Sequence, residues 1–96
     1  MKVVVDDKIP YIREALSRMG CEARYVAGNE ISPDIVRDAD ALIVRTRTHC
    51  DASLLEGSRV RFIATATIGY DHIDTAYCDS RGIRWTNAPE IGRAHV

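Results

Sequence analysis

The sequence predicts an α/β domain built around a parallel sheet, and three observations carry that expectation. Apolar, often β-branched runs recur at Val3-Val4-Val5, Ala41-Leu42-Ile43-Val44 and Phe62-Ile63-Ala64, each reading as a buried strand. Amphipathic helical patterns lie between them. Strand and helix alternate roughly every 20 residues, which means βα units with right-handed crossovers. Only the architecture repeats along the chain, and 96 residues suffice for one small domain with a modest core.

The elements follow in order. Lys2 to Val5 is the first strand, closed by Asp6-Asp7. Pro10 suits the first turn of a helix, where its missing N–H costs nothing. Ile9, Ile12, Leu16 and Met19 recur at helical spacing, and Gly20 stops the pattern. Glu22 to Val26 is a second, weaker strand, and Gly28-Asn29 signals a turn. Ser32-Pro33-Asp34 reads as N-cap, first turn and dipole-compatible acid of a short helix bearing Ile35 and Val36. After the strand Ala41–Val44 comes Arg45-Thr46-Arg47-Thr48. Asp51 can cap a further short helix carrying Leu54 and Leu55 and ending at Gly57. Val60 to Ala64 is the fourth strand. A helix from about Asp74 to Arg81 ends at Gly82, and Ile83-Arg84-Trp85 starts a fifth strand.

Composition excludes several function classes. The formal net charge is −1, so no basic surface argues for nucleic acid. No apolar stretch is long enough to span a membrane, and the N-terminus lacks the pattern of a signal peptide. The three cysteines, Cys21, Cys50 and Cys78, match no metal-ligand or CxxC spacing. They point to a reducing, cytoplasmic setting and read as buried or half-buried small apolar residues.

A flavodoxin-like strand order is the expected topology, and in such a sheet ligands sit outside the strand C-terminal ends. Those ends carry Asp6-Asp7, Arg45-Thr46-Arg47-Thr48 and Thr65-Ala66-Thr67-Ile68-Gly69. Adjacent parallel strands would bring the last two together. Gly69 lets the backbone approach a ligand, and a strand, glycine turn and helix in succession aim N–H groups and a positive helix end at an anion. Thr67 to Gly69 is therefore the expected anion-accepting turn, the alternative being an ordinary βα loop. Thr46 and Thr67 can each donate a hydroxyl hydrogen bond to one ligand. Arg45 and Arg47, alternating along an extended segment, would face opposite ways, and one could clamp a phosphate or carboxylate.

Other constellations carry less. An acidic pair after the first strand occurs in phosphorylated receiver domains, where it binds magnesium. Here Arg45 stands where such a domain needs an aspartate, and Arg84-Trp85-Thr86-Asn87 supplies no lysine. Capping the first helix is the plainer role for Asp6. His72, flanked by Asp71 and Asp74, reads as structural, since a catalytic role would need a positioned partner. The chain has no Ser–His–Asp set, no metal cluster and no GxGxxG turn, so no nucleotide site is encoded in it.

The run Glu90-Ile91-Gly92-Arg93-Ala94-His95-Val96 completes no element. It is also what a widely used sequencing-adapter oligonucleotide would encode, so residues 90–96 are expected to be read-through and residues 1–89 a partial substrate-binding domain.

Three stretches together resemble the D-2-hydroxyacid dehydrogenases: Val5-Asp6-Asp7-Lys8-Ile9-Pro10-Tyr11, Ala39-Asp40-Ala41-Leu42-Ile43-Val44-Arg45-Thr46-Arg47-Thr48, and Thr65 through Asp74 with its Gly69-Tyr70-Asp71-His72-Ile73-Asp74 run. The similarity extends from Met1 to Pro89. The opening stretch and Thr65-Ala66-Thr67 favour a branch acting on a small phosphorylated hydroxy acid. The resemblance implies a two-domain enzyme using NAD, bound by a domain outside these residues, homodimeric when full length. It implies that this chain is an incomplete flavodoxin-like substrate domain. It further implies that Thr46 and Thr67 contact substrate and that the backbone around Ile68-Gly69 holds the substrate carboxylate. Arg45 or Arg47 as the phosphate contact is inferred from charge and not from the resemblance. The family's catalytic arginine, glutamate and histidine have no counterparts here, so the chain by itself is expected to be inactive, with exposed apolar surface. Glu90 departs from the glycine the family carries after Asn87-Ala88-Pro89. Other branches of the family, and a free-standing anion-binding module, remain the alternatives.

Overall fold

The computed structural model describes residues 1–9 and 12–88. Pro10, expected in the first turn of a helix, and residues 90–96, expected to be read-through, lie outside the described residues. Strands β1 (Lys2–Asp6), β2 (Glu22–Val26), β3 (Ala41–Val44), β4 (Phe62–Thr65) and β5 (Arg84–Asn87) form one sheet in the order β2-β1-β3-β4-β5. Every pairing is parallel. This is the flavodoxin-like order expected from the alternation of elements.

Helix α1 (Ile12–Met19) covers one face of the sheet, and α2 (Pro33–Val36), α3 (Ala52–Leu55) and α4 (Thr75–Ser80) lie on the other. The period-2 alternation of β1 explains the division. Val3 and Val5 pack with Ile12 and Leu16 of α1, while Val4 joins Val36, Leu42, Leu54, Leu55, Ile63 and Cys78. A strand buried on both faces must be apolar throughout, which is why the central strands read as unbroken hydrophobic runs. The α1 face thins towards β4, where Phe62 is 39% exposed; Ile68 and Tyr70 are also exposed. Cys50 and Cys78 are buried and Cys21 half-buried, all as free thiols, and burial pushes the Cys50 thiol up to about 12.

The local signals for helix ends act as expected. Ser32 and Asp51 accept the N–H groups of Ile35 and Leu54, and Asp74 accepts that of Tyr77. Each such cap is worth about 1 kcal/mol. Gly20 and Gly82 take positive φ, 73° and 70°, where α1 and α4 stop.

Several boundaries differ from the sequence reading. β4 starts at Phe62 rather than Val60, and β5 starts at Arg84 rather than Ile83 and runs on to Asn87. Arg45 to Thr48 is a turn closed by Thr48 N–H on the Arg45 carbonyl at 3.3 Å, not an extended segment. Strict alternation of side chains therefore does not hold for Arg45 and Arg47. No helix among the described residues is long and apolar enough to cross a membrane.

Candidate functional site

The candidate site lies where β3 and β4 leave the sheet together. Their register pairs Val44 with Thr65, and Ala66 N–H continues the ladder onto the Val44 carbonyl at 2.9 Å. Thr46 and Thr67 each stand two residues beyond that pair. Arg45, Thr46 and Gly69 are exposed and Thr67 is half-buried. The sheet thus brings the two predicted hydroxyl-bearing runs to one edge.

Arg45 and Arg47 have different surroundings. Arg47 donates to Oδ1 of Asp6 at 3.3 Å, and its guanidinium lies 3.7 Å from Asp7. Two carboxylates therefore balance its charge. Arg45 instead donates to the Lys8 carbonyl at 3.3 Å, a neutral acceptor that leaves its positive charge uncompensated by that contact.

The expected role of Asp6 as a helix cap is not what the structure shows. Asp6 is fully buried; Oδ1 accepts the Lys8 N–H at 2.8 Å as well as Arg47, and Oδ2 has no hydrogen-bond partner among the described residues. The physical reason is topological: β1 lies beside β3, so the end of β1 faces the arginine turn before the chain reaches α1. Thr48, also buried, donates to the Gly28 carbonyl at 2.8 Å and anchors the same turn from its far end.

The Thr67–Gly69 turn is organised by side chains rather than by a helix. Thr67 Oγ1 donates to the Gly69 carbonyl at 2.7 Å and lies 2.7 Å from Thr65 Oγ1. Thr65, fully buried, in turn lies 2.8 Å from His72 Nε2. Asn87 Nδ2 donates to the Ile68 carbonyl at 2.9 Å. The expected positive helix end is not there. α4 begins only at Thr75, and its first turn is already capped by the Asp74 carboxylate. Gly69 has no β-carbon clash within 4 Å and no left-handed φ, so the fold itself does not require glycine at this position.

His72 and Thr65 were the residues missed. Thr65 and Thr67, two apart at a strand end, fall on one side by the strand period, and that signal was available. The closure onto His72 depends on the loop returning at Cys50–Ile73, where Cys50 N–H bonds the His72 carbonyl at 2.8 Å. His72 is 7% exposed and hydrogen-bonded, and Thr65 is the positioned partner that the sequence did not show.

Burial lowers the His72 pKa from the ordinary 6.5; His49 adds to the shift, and Asp71 opposes it. Above that value both folded and unfolded rings are neutral and the group contributes no pH dependence. As pH falls below it, the unfolded ring takes up a proton first, and stability is lost. Between about pH 7.5 and pH 5.5, the urea midpoint of the full-length protein should fall more steeply than that of its His72→Gln variant. Parallel profiles would remove His72 as a source of acid sensitivity.

The sequence profile of the D-isomer specific 2-hydroxyacid dehydrogenase catalytic domain matches residues 3–96. The chain belongs to this family. It is 65% identical over 96 residues to a Bacteroides fragilis erythronate-4-phosphate dehydrogenase, and 59% identical over the same length to one from Bacteroides thetaiotaomicron. Those alignments cover the whole chain but 28% of each relative, so the chain spans little more than a quarter of their length. Among solved structures, NAD+-bound 3-phosphoglycerate dehydrogenase from Entamoeba histolytica superposes with a TM-score of 0.77 at 32% identity, covering 91% of this chain and 32% of that one.

NAD does not fit the described residues of this family member. A dinucleotide pyrophosphate needs a glycine-rich turn leading into a helix. The turn after β1 instead carries the carboxylates of Asp6 and Asp7, which would repel it.

Proposed function

We propose that this chain is the substrate-side part of an NAD-dependent dehydrogenase oxidising 4-phospho-D-erythronate to (R)-3-hydroxy-2-oxo-4-phosphonooxybutanoate, a step in pyridoxal 5′-phosphate (vitamin B6) biosynthesis. NAD, held outside these residues, would supply the hydride acceptor for that oxidation. The NAD domain and the catalytic arginine, glutamate and histidine lie outside these residues, which alone are inactive. The full-length protein is a cytoplasmic homodimer.

The observation that carries this reading is the shared exit of β3 and β4, with Thr46 and Thr67 each two residues past the Val44–Thr65 pair. The two hydroxyls and the main chain at Ile68-Gly69 surround one anionic metabolite, with Gly69 leaving room for its carboxylate. Of the two arginines, Arg45 is the phosphate contact, because Arg47 is already held by Asp6 and Asp7.

The test is turnover by the full-length protein, followed by NADH formation. The phosphorylated substrate should exceed unphosphorylated erythronate in kcat/KM by about ten- to hundredfold, the worth of one hydrogen bond to a charged group. Arg45→Gln should shrink that preference while Arg47→Gln should not. Equal use of both acids would move the enzyme to another branch of its family.

A further inference from the structure

The Thr67 hydroxyl has one hydrogen, and it is spent on the Gly69 carbonyl. The 2.7 Å contact between Thr65 and Thr67 therefore needs its hydrogen from Thr65. With its own hydrogen directed at Thr67, Thr65 can only accept from His72, so Nε2 must carry a hydrogen. Donor counting gives the chain one polarity, running from the buried ring outward to the sheet edge. Reversing it would require a bare Nε2 accepting from Thr65, and Thr67 would then surrender its hydrogen inward. Thr65 is fully buried and His72 nearly so, which removes competing solvent from both inner links. Burial also favours the neutral ring, so an Nε2–H leaves Nδ1 without a hydrogen.

We propose that His72 is a positioning residue for Thr67: as the Nε2–H tautomer it orients Thr65, and Thr65 holds the Thr67 hydroxyl with its hydrogen facing outward, towards Gly69 O in the free protein and towards an oxygen of the bound anion in the complex. The inference rests on the reading of Thr67 as a substrate contact. A hydroxyl without this bias rotates among staggered positions and presents a lone pair to the anion part of the time. His72 touches no substrate and moves no proton during the reaction.

The experiment is steady-state kinetics on the full-length enzyme, with folding checked by circular dichroism. Thr65→Val and His72→Met each break one link, and each should raise KM by about three- to tenfold with kcat near wild type, the worth of one net hydrogen bond. His72→Gln places an amide N–H where Nε2–H stood and should restore KM to within about twofold. Thr65→Val added to Thr67→Ala should cost nothing further, because the chain then has no outer end. Should His72→Met not fold, Thr65→Val and its cycle with Thr67→Ala decide the matter alone. Equal KM values for His72→Gln and His72→Met overturn the proposal, as does a Thr65→Val effect that persists undiminished beside Thr67→Ala. If Thr67→Ala itself leaves KM unchanged, the substrate-contact reading of Thr67 falls first and takes this one with it.

Discussion

Thr67→Ala in the full-length enzyme should lower kcat/KM by about ten- to hundredfold, the loss of one hydrogen bond to a charged group at about 1.5–3 kcal/mol. Alanine keeps the β-carbon and loses only the hydroxyl and methyl, so the larger effect falls on ligand handling. Stability should change less. Thr67 is only half-buried, but its loss also frees the Gly69 carbonyl and takes an acceptor from Thr65. The substitution therefore separates two demands on one hydroxyl. Kinetics report the bond made to substrate, and the urea midpoint reports the two bonds made within the turn. Kinetics equal to wild type would take Thr67 out of the site.

Gly28→Ala should destabilise the full-length protein by about 2–4 kcal/mol, an overpacking cost added to a disturbed charge-assisted bond. A β-carbon there would come within 2.5 Å of Asp6 Oδ2 and 3.1 Å of both Cβ and Nε of Arg47. The carboxylate has little room to retreat, since it is fully buried and Oδ1 is held by Lys8 N–H and Arg47. Rotating it away breaks those bonds and leaves a buried charge poorly paired. Gly69→Ala is the contrasting case: its β-carbon meets nothing within 4 Å, so stability should stay within about 0.5 kcal/mol of wild type. A Gly28→Ala protein as stable as wild type would show that the Asp6–Arg47 pair adjusts freely.

The framework was legible because its signals are local. Val3-Val4-Val5, Ala41–Val44 and Phe62–Ala64 announce doubly covered strands, and Ser32, Asp51, Gly20 and Gly82 mark helix ends by chemistry confined to a few neighbours. The edge bearing Thr46 and Thr67 followed from strand order alone. What escaped was pairing across distance. Asp6 and Arg47 are 41 residues apart, and their bond exists because β1 lies against β3. The expected strand order already implied that neighbourhood, so an acid pair and an arginine pair at adjacent strand ends could have been matched. The bounds of α4 were legible to within a residue, but not that its N-terminus stands away from the Thr67–Gly69 turn. Five residues separate Gly69 from Thr75, and the sequence does not show how a loop spends them: here they fold His72 beneath Thr65 instead of leading straight into a helix.

The end of β5 is fastened to the turn at two points, by Asn87 Nδ2 on the Ile68 carbonyl and by Ala88 N–H on the Thr65 carbonyl at 2.8 Å. Any rigid body attached beyond residue 88 would pull on that clasp. A swing of such a body would be transmitted to the peptide groups of Ile68 through one side-chain amide. The end of β5 and the tilt of those peptide groups would then behave as a single mechanical coordinate.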